Sequence, residues 1–597
     1  MDKPRITVET IVWIAILALA LGLRLLNLGE KPLSDQESDW ALQALSLAPG
    51  ATYIEPVPSG SQASYISLTG LVFGVLGSNN FLARVVPAIA GVLLCLAPYF
   101  LRSRIGHFAA LIMSTGLALD PAMVAFSRLA GGPMPAIGFG VLGLCLLADR
   151  KTLVSGIFLG LALLSGPAAL QGILIVVLTW AIARLIPSKR NIQPVEDESK
   201  NDQGFTLTLR DWKVLLLGSL GSILVFGTLF GFHVPGLGAW VAALPEYLAG
   251  WVSPAGVPAL RLLAALFIYQ PIAVTFGVGA AVRGWSVGDS RAQWSSLFLL
   301  IALCIALFYP ARQMGDLLWA LIALWALASL SLADLLPIGE DNKAVVWVQA
   351  AIVFVLLALF WLNLAGLNLV VSVESAYRLR WLVLIGVLLL IGLLTVLIGF
   401  GWSWSTASKG LVWGLIAALG VYGVSGMWAA SQPSRLRPIS IWDPAPVTGE
   451  ADLFLRTVTD LSEWSTGQRD SIEILLIDVP SMRWLFRKFP NARYTIGRLE
   501  LSSGETPALV VTRKSQDTPA LAAAYRGQDF GWWRFQDWSS PTPLDWTAWL
   551  AYRKEPARQE DVILWARSDL FPGLEVGVNE LNVSPDPIES QPEESPK

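Results

Sequence analysis

Arg24-Leu-Leu-Asn-Leu-Gly-Glu-Lys-Pro-Leu-Ser-Asp35-Gln36-Glu37-Ser38-Asp39-Trp40-Ala41-Leu42 sets three carboxylates at every second position between two apolar segments. Before it, Val8 to Leu28 is apolar for about the 20 residues that a helix needs to cross a bilayer. After it, Trp40, Leu42, Ala44, Leu45 and Leu47 recur with the spacing of an amphipathic helix lying on a membrane. Acidic side chains are disfavoured beside lipid, so a cluster at the mouth of a span points to function. Such carboxylates can take a proton from a hydroxyl or hold a divalent cation against a phosphate. The structural alternative is a helix start, in which Ser34 or Asp35 caps and Glu37 is favoured in the first turn by the helix dipole.

The rest of the chain fixes the setting of that loop. Hydrophobic residues make up 54%, charged residues only 15%, and mean hydropathy is +0.57, far from the quarter charged that soluble chains carry. Nearly half of the charged residues fall after Ala430, so the first 430 positions are more apolar still. Apolar runs near 8–28, 81–101, 105–120, 133–148, 152–165, 168–186, 214–232, 259–282, 294–309, 316–334, 345–364, 378–400 and 409–430 predict about 13 transmembrane helices. Lys3 and Arg5 precede the first run and no small-residue cleavage site follows it, which reads as a retained anchor. Tyr65–Gly77 and Gly238–Trp251 are too short to span and are read as interfacial helices. With the N-terminus cytoplasmic, the cytoplasmic segments hold twice the Lys and Arg of the outer ones, most densely between Arg184 and Lys213. An odd span count then places the tail outside the cell or inner membrane.

The tail opens with Pro433, Pro438, Pro444 and Pro446 and continues into β-branched Ile472–Asp478, a helical Ser481–Phe489, and further strands at Arg493–Ile496 and Ala508–Thr512. That order predicts a β-α-β unit in an extracytoplasmic α/β domain over 431–584, followed by a disordered acidic terminus over 585–597. The domain division is thus 1–430, with a first outer loop at 29–80, then the tail. Trp532, Trp533, Trp538, Trp546 and Trp549 read as a small domain's core, its seat on the membrane, or a surface that stacks on sugar rings. Cys95, Cys145 and Cys304 lie in apolar runs and the tail has none, so no disulfide framework or zinc set can be drawn. A net charge of −3 without a dense basic cluster argues against a nucleic-acid partner. His107 reads as a helix-end residue, His233 as a proton-transfer candidate at an outer helix end, and the Asn582 sequon as chance.

Arg24 through Leu42 resembles the first outer loop of the GT-C membrane glycosyltransferases, which include the protein O-mannosyltransferases and the aminoarabinose transferases. The pattern is an Arg near the end of the first helix, a Pro-Leu, an acidic pair and an amphipathic helix. Tyr65–Gly77 with Ser78-Asn-Asn-Phe81-Leu-Ala-Arg84-Val-Val-Pro87, then Arg102-Ser-Arg104-Ile-Gly106, is also similar. So are Ala118-Leu-Asp-Pro121-Ala-Met-Val-Ala-Phe126-Ser127-Arg128 and Tyr309-Pro310-Ala-Arg312-Gln-Met-Gly-Asp316-Leu. The sequence departs from the pattern at three places. The adjacent Asp-Glu is here Asp35-Gln36-Glu37; Leu129-Ala-Gly-Gly-Pro133 lacks an acidic residue; Leu164-Ser165-Gly166-Pro167 lacks a basic one.

The resemblance implies an all-α polytopic bundle and transfer of a sugar from a polyprenyl-phosphate carrier to a lipid, glycan or protein acceptor at the outer membrane face. It implies Asp35 or Glu37 as base and Arg312 at the donor phosphate, with room for a divalent cation on Asp35 and Glu37. Arg84, Arg128 and Arg312 each stand at a predicted outer helix end, where they form a cationic surface for the lipid phosphate, with Asp39 beside the substrate, or else snorkel or pair with Asp316 or the first-loop carboxylates. The departures keep a catalytically silent binding or assembly protein open. A transporter or flippase of lipid-linked sugars is the third reading, opposed by the near absence of charge in the middle of the spans.

Overall fold

The computed structural model describes residues 7–48, 61–185, 207–231, 236–254, 256–337, 342–367, 374–431, 441–442, 450–496, 506–515, 522–538, 546–554 and 556–571. The prolines at 433–446, His233, the Asn582 sequon and the terminus at 585–597 lie outside them.

The protein is an integral membrane protein, a bundle of apolar helices followed by a small mixed sheet. Each expected span carries helix, but the count of 13 is not reached by length and composition. Among the described residues eight helices are long and apolar enough to cross a membrane, or up to ten if each bent pair is one span. The first bent pair is His107–Leu119 with Pro121–Ser127, at 58°, and the second is Ala259–Tyr269 with Pro271–Val287, at 96°. Both bends stand at an X-Pro step, where proline lacks an N–H and pushes the preceding residue out of helix. Asp120, with φ −64 and ψ 122, uses the break to cap the next segment, accepting from Ala122 N and Met123 N. The run expected as one span over 259–282 is therefore sharply broken at Gln270.

The short helix Thr152–Leu163 keeps its place through small residues. A Cβ on Gly160 would lie 2.6 Å from Ser219 O, and one on Gly218 would lie 2.6 Å from Leu153 O. Backbone contact of this kind is how short apolar helices associate in lipid.

The elements around the first loop are α1 (Val8–Leu25), α2 (Asp35–Ser46), α3 (Ala63–Leu76) and α4 (Asn80–Leu96). Ser34 accepts from Glu37 N while Glu37 reaches back to Ser34 N, a capping box that fixes where α2 begins. Helix α3, read as interfacial, is largely buried: Tyr65, Ile66 and Phe73 join Leu33, Leu42 and Ala83 in one apolar cluster. Gly238–Trp251 is two short helices, Gly236–Val241 and Ala243–Ala249.

After the last long helix, Trp404–Ser431, the described residues form helix Ala451–Thr466 and five strands. These are β1 (Ile474–Ile477), β2 (Ala492–Thr495), β3 (Leu509–Arg513), β4 (Tyr525–Gln536) and β5 (Ala557–Arg567). The order is β2-β1-β3-β5-β4. The first three are parallel, with helix Pro480–Leu485 between β1 and β2 forming the expected β-α-β unit, while β5 runs antiparallel to both β3 and β4. The Trp group divides between two sites. Trp532 and Trp533 are buried in the sheet's own core, whereas Trp549 is buried in the core of the helical bundle.

Candidate functional site

The acidic loop is held from two sides. Glu37 is fully buried, and its two oxygens accept four hydrogen bonds: from Arg84 Nε at 2.8 Å and Ala130 N at 2.7 Å, and from Arg84 Nη2 at 2.9 Å and Ser34 N at 3.0 Å. A carboxylate has about four acceptor sites, so none is left over. Burial pushes this carboxyl up, but the charge and hydrogen bonds of Arg84 and the two main-chain N–H groups outweigh it and hold it below its ordinary value. Arg84 is equally engaged. Its remaining N–H groups go to Leu28 O, Lys31 O and Pro32 O, which accounts for all five donors. In this arrangement Glu37 offers no lone pair to an acceptor proton or a cation, and Arg84 no donor to a phosphate.

Asp35 faces the sheet. Its oxygens accept from Ser481 N and Trp533 Nε1, each at 2.9 Å, and Arg513 Nη2 lies 3.8 Å away. Around this contact, Trp484 Nε1 donates to Asn80 Oδ1, Arg487 Nε donates to Ser78 Oγ, and the Trp484 ring stacks on Phe73. The carboxylate expected as a base is thus a docking point for the sheet. Asp35 and Glu37 point at N–H donors and do not present a common pair of oxygens to a metal; among the described residues no cluster of three or more His, Cys, Asp or Glu could hold one.

Asp39 differs from both. It is half-buried and makes no hydrogen bond or ion pair to a described residue. Burial raises its pKa, the nearby Arg483 charge opposes the rise, and the Asp35 charge adds to it. Arg483 lies over the Tyr494 ring at 4.5 Å, so the side of α2 that carries Asp39 looks onto the sheet.

The two other predicted arginines sit on neighbouring turns. Arg128 Nη1 donates to Leu23 O, Arg24 O and Leu26 O at the end of α1. Its Nε and Nη2 have no acceptor among the described residues. Burial, with the Arg84 charge adding to it and Glu30 opposing, lowers its pKa to about 10. Arg312 donates from Nε to Val257 O and from Nη1 to Leu307 O and Tyr309 O, again leaving Nη2 without an acceptor among the described residues. The turn at 128–133 joins these groups. Ala130 N binds Glu37, and a Cβ on Gly315 would lie 3.1 Å from Pro133 Cγ. Arg312 itself touches neither Asp35 nor Glu37.

Arg24, quoted from the first helix, binds Ser127 Oγ and the carbonyls of Ala20, Leu117 and Ala118, tying α1 to the bent His107–Ser127 pair. Asp120 accepts from Trp325 Nε1 at 2.7 Å. His107 meets Glu9 at 3.0 Å near the opposite helix ends, as a helix-end residue would.

No family model matches this sequence, and no curated protein sequence matches it. Among solved structures, the chain superposes on ArnT from Cupriavidus metallidurans bound to undecaprenyl phosphate with a TM-score of 0.52 at 13% identity, covering 93% of this chain and 98% of that one. The chain has the GT-C fold. The apo state of the same ArnT gives a TM-score of 0.47 at 14% identity, over 81% of this chain and 85% of that one. The Archaeoglobus fulgidus oligosaccharyltransferase in its apo form gives 0.41 at 14%, over 82% and 64%.

Within the GT-C fold, the residues that sequence reasoning missed are those the sheet contributes: Ser481, Arg483, Tyr494, Arg513 and Trp533. They lie hundreds of positions from α2, and no local signal connects them to it.

Proposed function

We propose that this protein is a membrane glycosyltransferase that moves a sugar from a polyprenyl-phosphate carrier to an acceptor hydroxyl, with Asp39 as general base and Arg128 and Arg312 at the lipid phosphate. The GT-C fold over nearly the whole chain supports the class. The observation that carries the assignment of residues is the contrast in engagement: Asp39, Arg128 Nη2 and Arg312 Nη2 are uncommitted where Glu37 and Arg84 are saturated. Asp39 takes the proton as the acceptor oxygen bonds to the anomeric carbon. The bond from that carbon to the phosphate oxygen breaks, and the leaving lipid phosphate carries its charge to the two guanidinium groups. Arginine suits that place because its planar fork matches phosphate oxygens. The site faces the extracytoplasmic side in this reading.

A silent binding protein on the same fold is favoured by one observation, the engagement of both Asp35 and Glu37 in structural contacts. The two readings separate in proteoliposomes holding a radiolabelled undecaprenyl-phosphate hexose and a panel of acceptors. The transferase reading expects release of undecaprenyl phosphate that falls about 10²- to 10⁴-fold in Asp39→Asn, the usual reach of general-base catalysis. Arg128→Ala and Arg312→Ala should each weaken binding of undecaprenyl phosphate. Lipid binding that depends on the two arginines, with no turnover in wild type for any acceptor, would make the protein a binder.

A further inference from the structure

We infer that Gln62 is a specificity residue of this site, its side-chain oxygen accepting a hydrogen bond from a neutral hydroxyl of the transferred sugar; the inference rests on the glycosyltransferase reading above. Gln62 stands just ahead of α3 and is only 6% exposed. Its Oε1 is buried and has no hydrogen-bond partner among the described residues. Buried acceptors are nearly always satisfied, so an orphan of this kind calls for an explanation, and a ligand donor is one. A carboxamide oxygen has two lone pairs to offer.

Three segments converge on this amide. The Trp40 ring approaches from α2, Gly131 from the turn that carries Arg128, and Gly166 from the turn between Thr152–Leu163 and Pro167–Leu185. A Cβ on Gly131 would run into the Trp40 ring and lie 2.9 Å from Gln62 Oε1, and one on Gly166 would lie 3.0 Å from Gln62 Cγ. Both glycines have positive φ, +85 and +88, so glycine meets a conformational and a steric need at once. These are the two turns where the family pattern carries an acidic and a basic residue. Here both walls are bare backbone, and the side chain between them is neutral.

The electrostatics agree. Glu37, which binds Ala130 N beside Gly131, is saturated by that bond, by Ser34 N and by Arg84. A neutral acceptor beside an indole face suits a sugar hydroxyl with its C–H-rich ring, and suits a phosphate or an ammonium group poorly. A trapped water is the rival occupant. A water requires two to four polar partners, and among the described residues Ser38 Oγ of α2 is also buried and unpaired, so the two occupants are separated by the sugar preference measured below.

The test uses the full chain in nanodiscs, titrated with undecaprenyl phosphate and with its glucosyl, galactosyl and mannosyl derivatives. Wild type should prefer at least one glycosylated lipid over the bare one. Gln62→Leu should erase that preference by about five- to tenfold, the scale of one lost hydrogen bond, and leave bare-lipid affinity unchanged. Because the leucine removes an unpaired buried acceptor, the ligand-free melting temperature should hold or rise, and Gln62→Met should repeat both results. A retained sugar preference in either variant overturns the inference. So does a melting temperature that falls together with affinity for all four lipids, which would mark Gln62 as structural. Wild type that binds the bare lipid but favours no sugar defeats this inference alone, whereas wild type that binds none of the four defeats the transferase reading as well.

Discussion

Arg84 grips Glu37 with two prongs, Nε to one carboxylate oxygen at 2.8 Å and Nη2 to the other at 2.9 Å, with the two side chains 2% and 4% exposed. The pair is more than a salt bridge on a loop. Through Arg84 it gathers the carbonyls of Leu28, Lys31 and Pro32, and through Glu37 it holds the start of α2 and the turn at Ala130. It therefore sets the shape of the loop.

Removing one partner should cost far more than a surface pair would. Arg84→Met leaves a buried carboxylate uncompensated, and a loss of about 3–5 kcal/mol is expected. Thermal unfolding in detergent checks this. The pH dependence has a definite sign. Glu37 has a depressed pKa in the folded protein, so its contribution is fully present above the ordinary glutamate value of about 4.3 and is lost as pH falls through the folded value. Wild type should lose more stability than Glu37→Gln on acidification below that point, and show no difference in slope between pH 6 and 8.

The contact of Asp35 with the sheet predicts a coupling that is separable from catalysis. Asp35→Ala and Trp533→Phe each remove one end of the same charge-assisted bond, and a double-mutant cycle should show about 0.5–3 kcal/mol of interaction. If transfer falls in Asp35→Ala, it should recover in a variant that fixes the sheet to α2 by an engineered crosslink. A proton-transfer role for Asp35 would show no such recovery.

The sequence carried the membrane class, the helix positions and the β-α-β unit because each rests on local periodicity and on turn residues that act over a few positions. The capping role of Ser34 and Glu37 was legible for the same reason, since the box spans four residues. The bends at Asp120-Pro121 and Gln270-Pro271 were visible as X-Pro steps, yet proline occurs inside membrane helices often enough that their sharpness depends on packing. What the sequence withheld is long-range. The family pattern points to Asp35 and Glu37 as a catalytic pair, but Arg84 and Ala130 saturate one and Ser481 with Trp533 engages the other. Nothing near position 35 announces a partner at 533. The antiparallel pair β4 and β5 escaped detection because Gly527, Gly531 and a charge-rich β5 blur the alternation that marks a strand.

Trp549 makes the sheet's far connection to the bundle a second testable seat. It is fully buried, its Nε1 lies 3.4 Å from Tyr269 Oη, and Arg553 nearby donates to Tyr422 O and Ser425 Oγ. Trp549→Ala should destabilise the whole protein by about 3–5 kcal/mol, as large-to-small changes in a packed core do. The segment 440–580 made alone should then fold its sheet, leave helix Trp546–Tyr552 exposed, and associate until that helix is deleted. A melt that reducing agent does not move is expected, because the segment has no cysteine.

The orientation expected from the charge bias is open to direct labelling. Ser465 lies on the exposed end of helix Ala451–Thr466. In intact cells, Ser465→Cys should react with a membrane-impermeant thiol reagent, in a background where Cys304, the exposed native cysteine, is changed to serine. Reaction only after the cells are opened would put the sheet in the cytoplasm and turn the proposed site inward.

Asp39 gives the sharpest division between transferase and binder, because burial moves its titration in a direction that can be read from rates. Its pKa lies above the ordinary aspartate value of about 3.9, with burial as the main cause and Arg483 opposing. A general base must be ionised, so transfer should fall as pH drops through the raised value, with a limb displaced upward from that of a solvent-exposed aspartate. Removing the opposing charge with Arg483→Met should displace the limb further upward, while the affinity for undecaprenyl phosphate at pH 8 stays unchanged. Removing the like charge with Asp35→Asn should displace it downward. Two variants that move one kinetic limb in opposite directions, without touching lipid affinity, identify Asp39 as the titrating group. A limb that ignores both variants belongs to another residue, and Asp39 then loses its role as base.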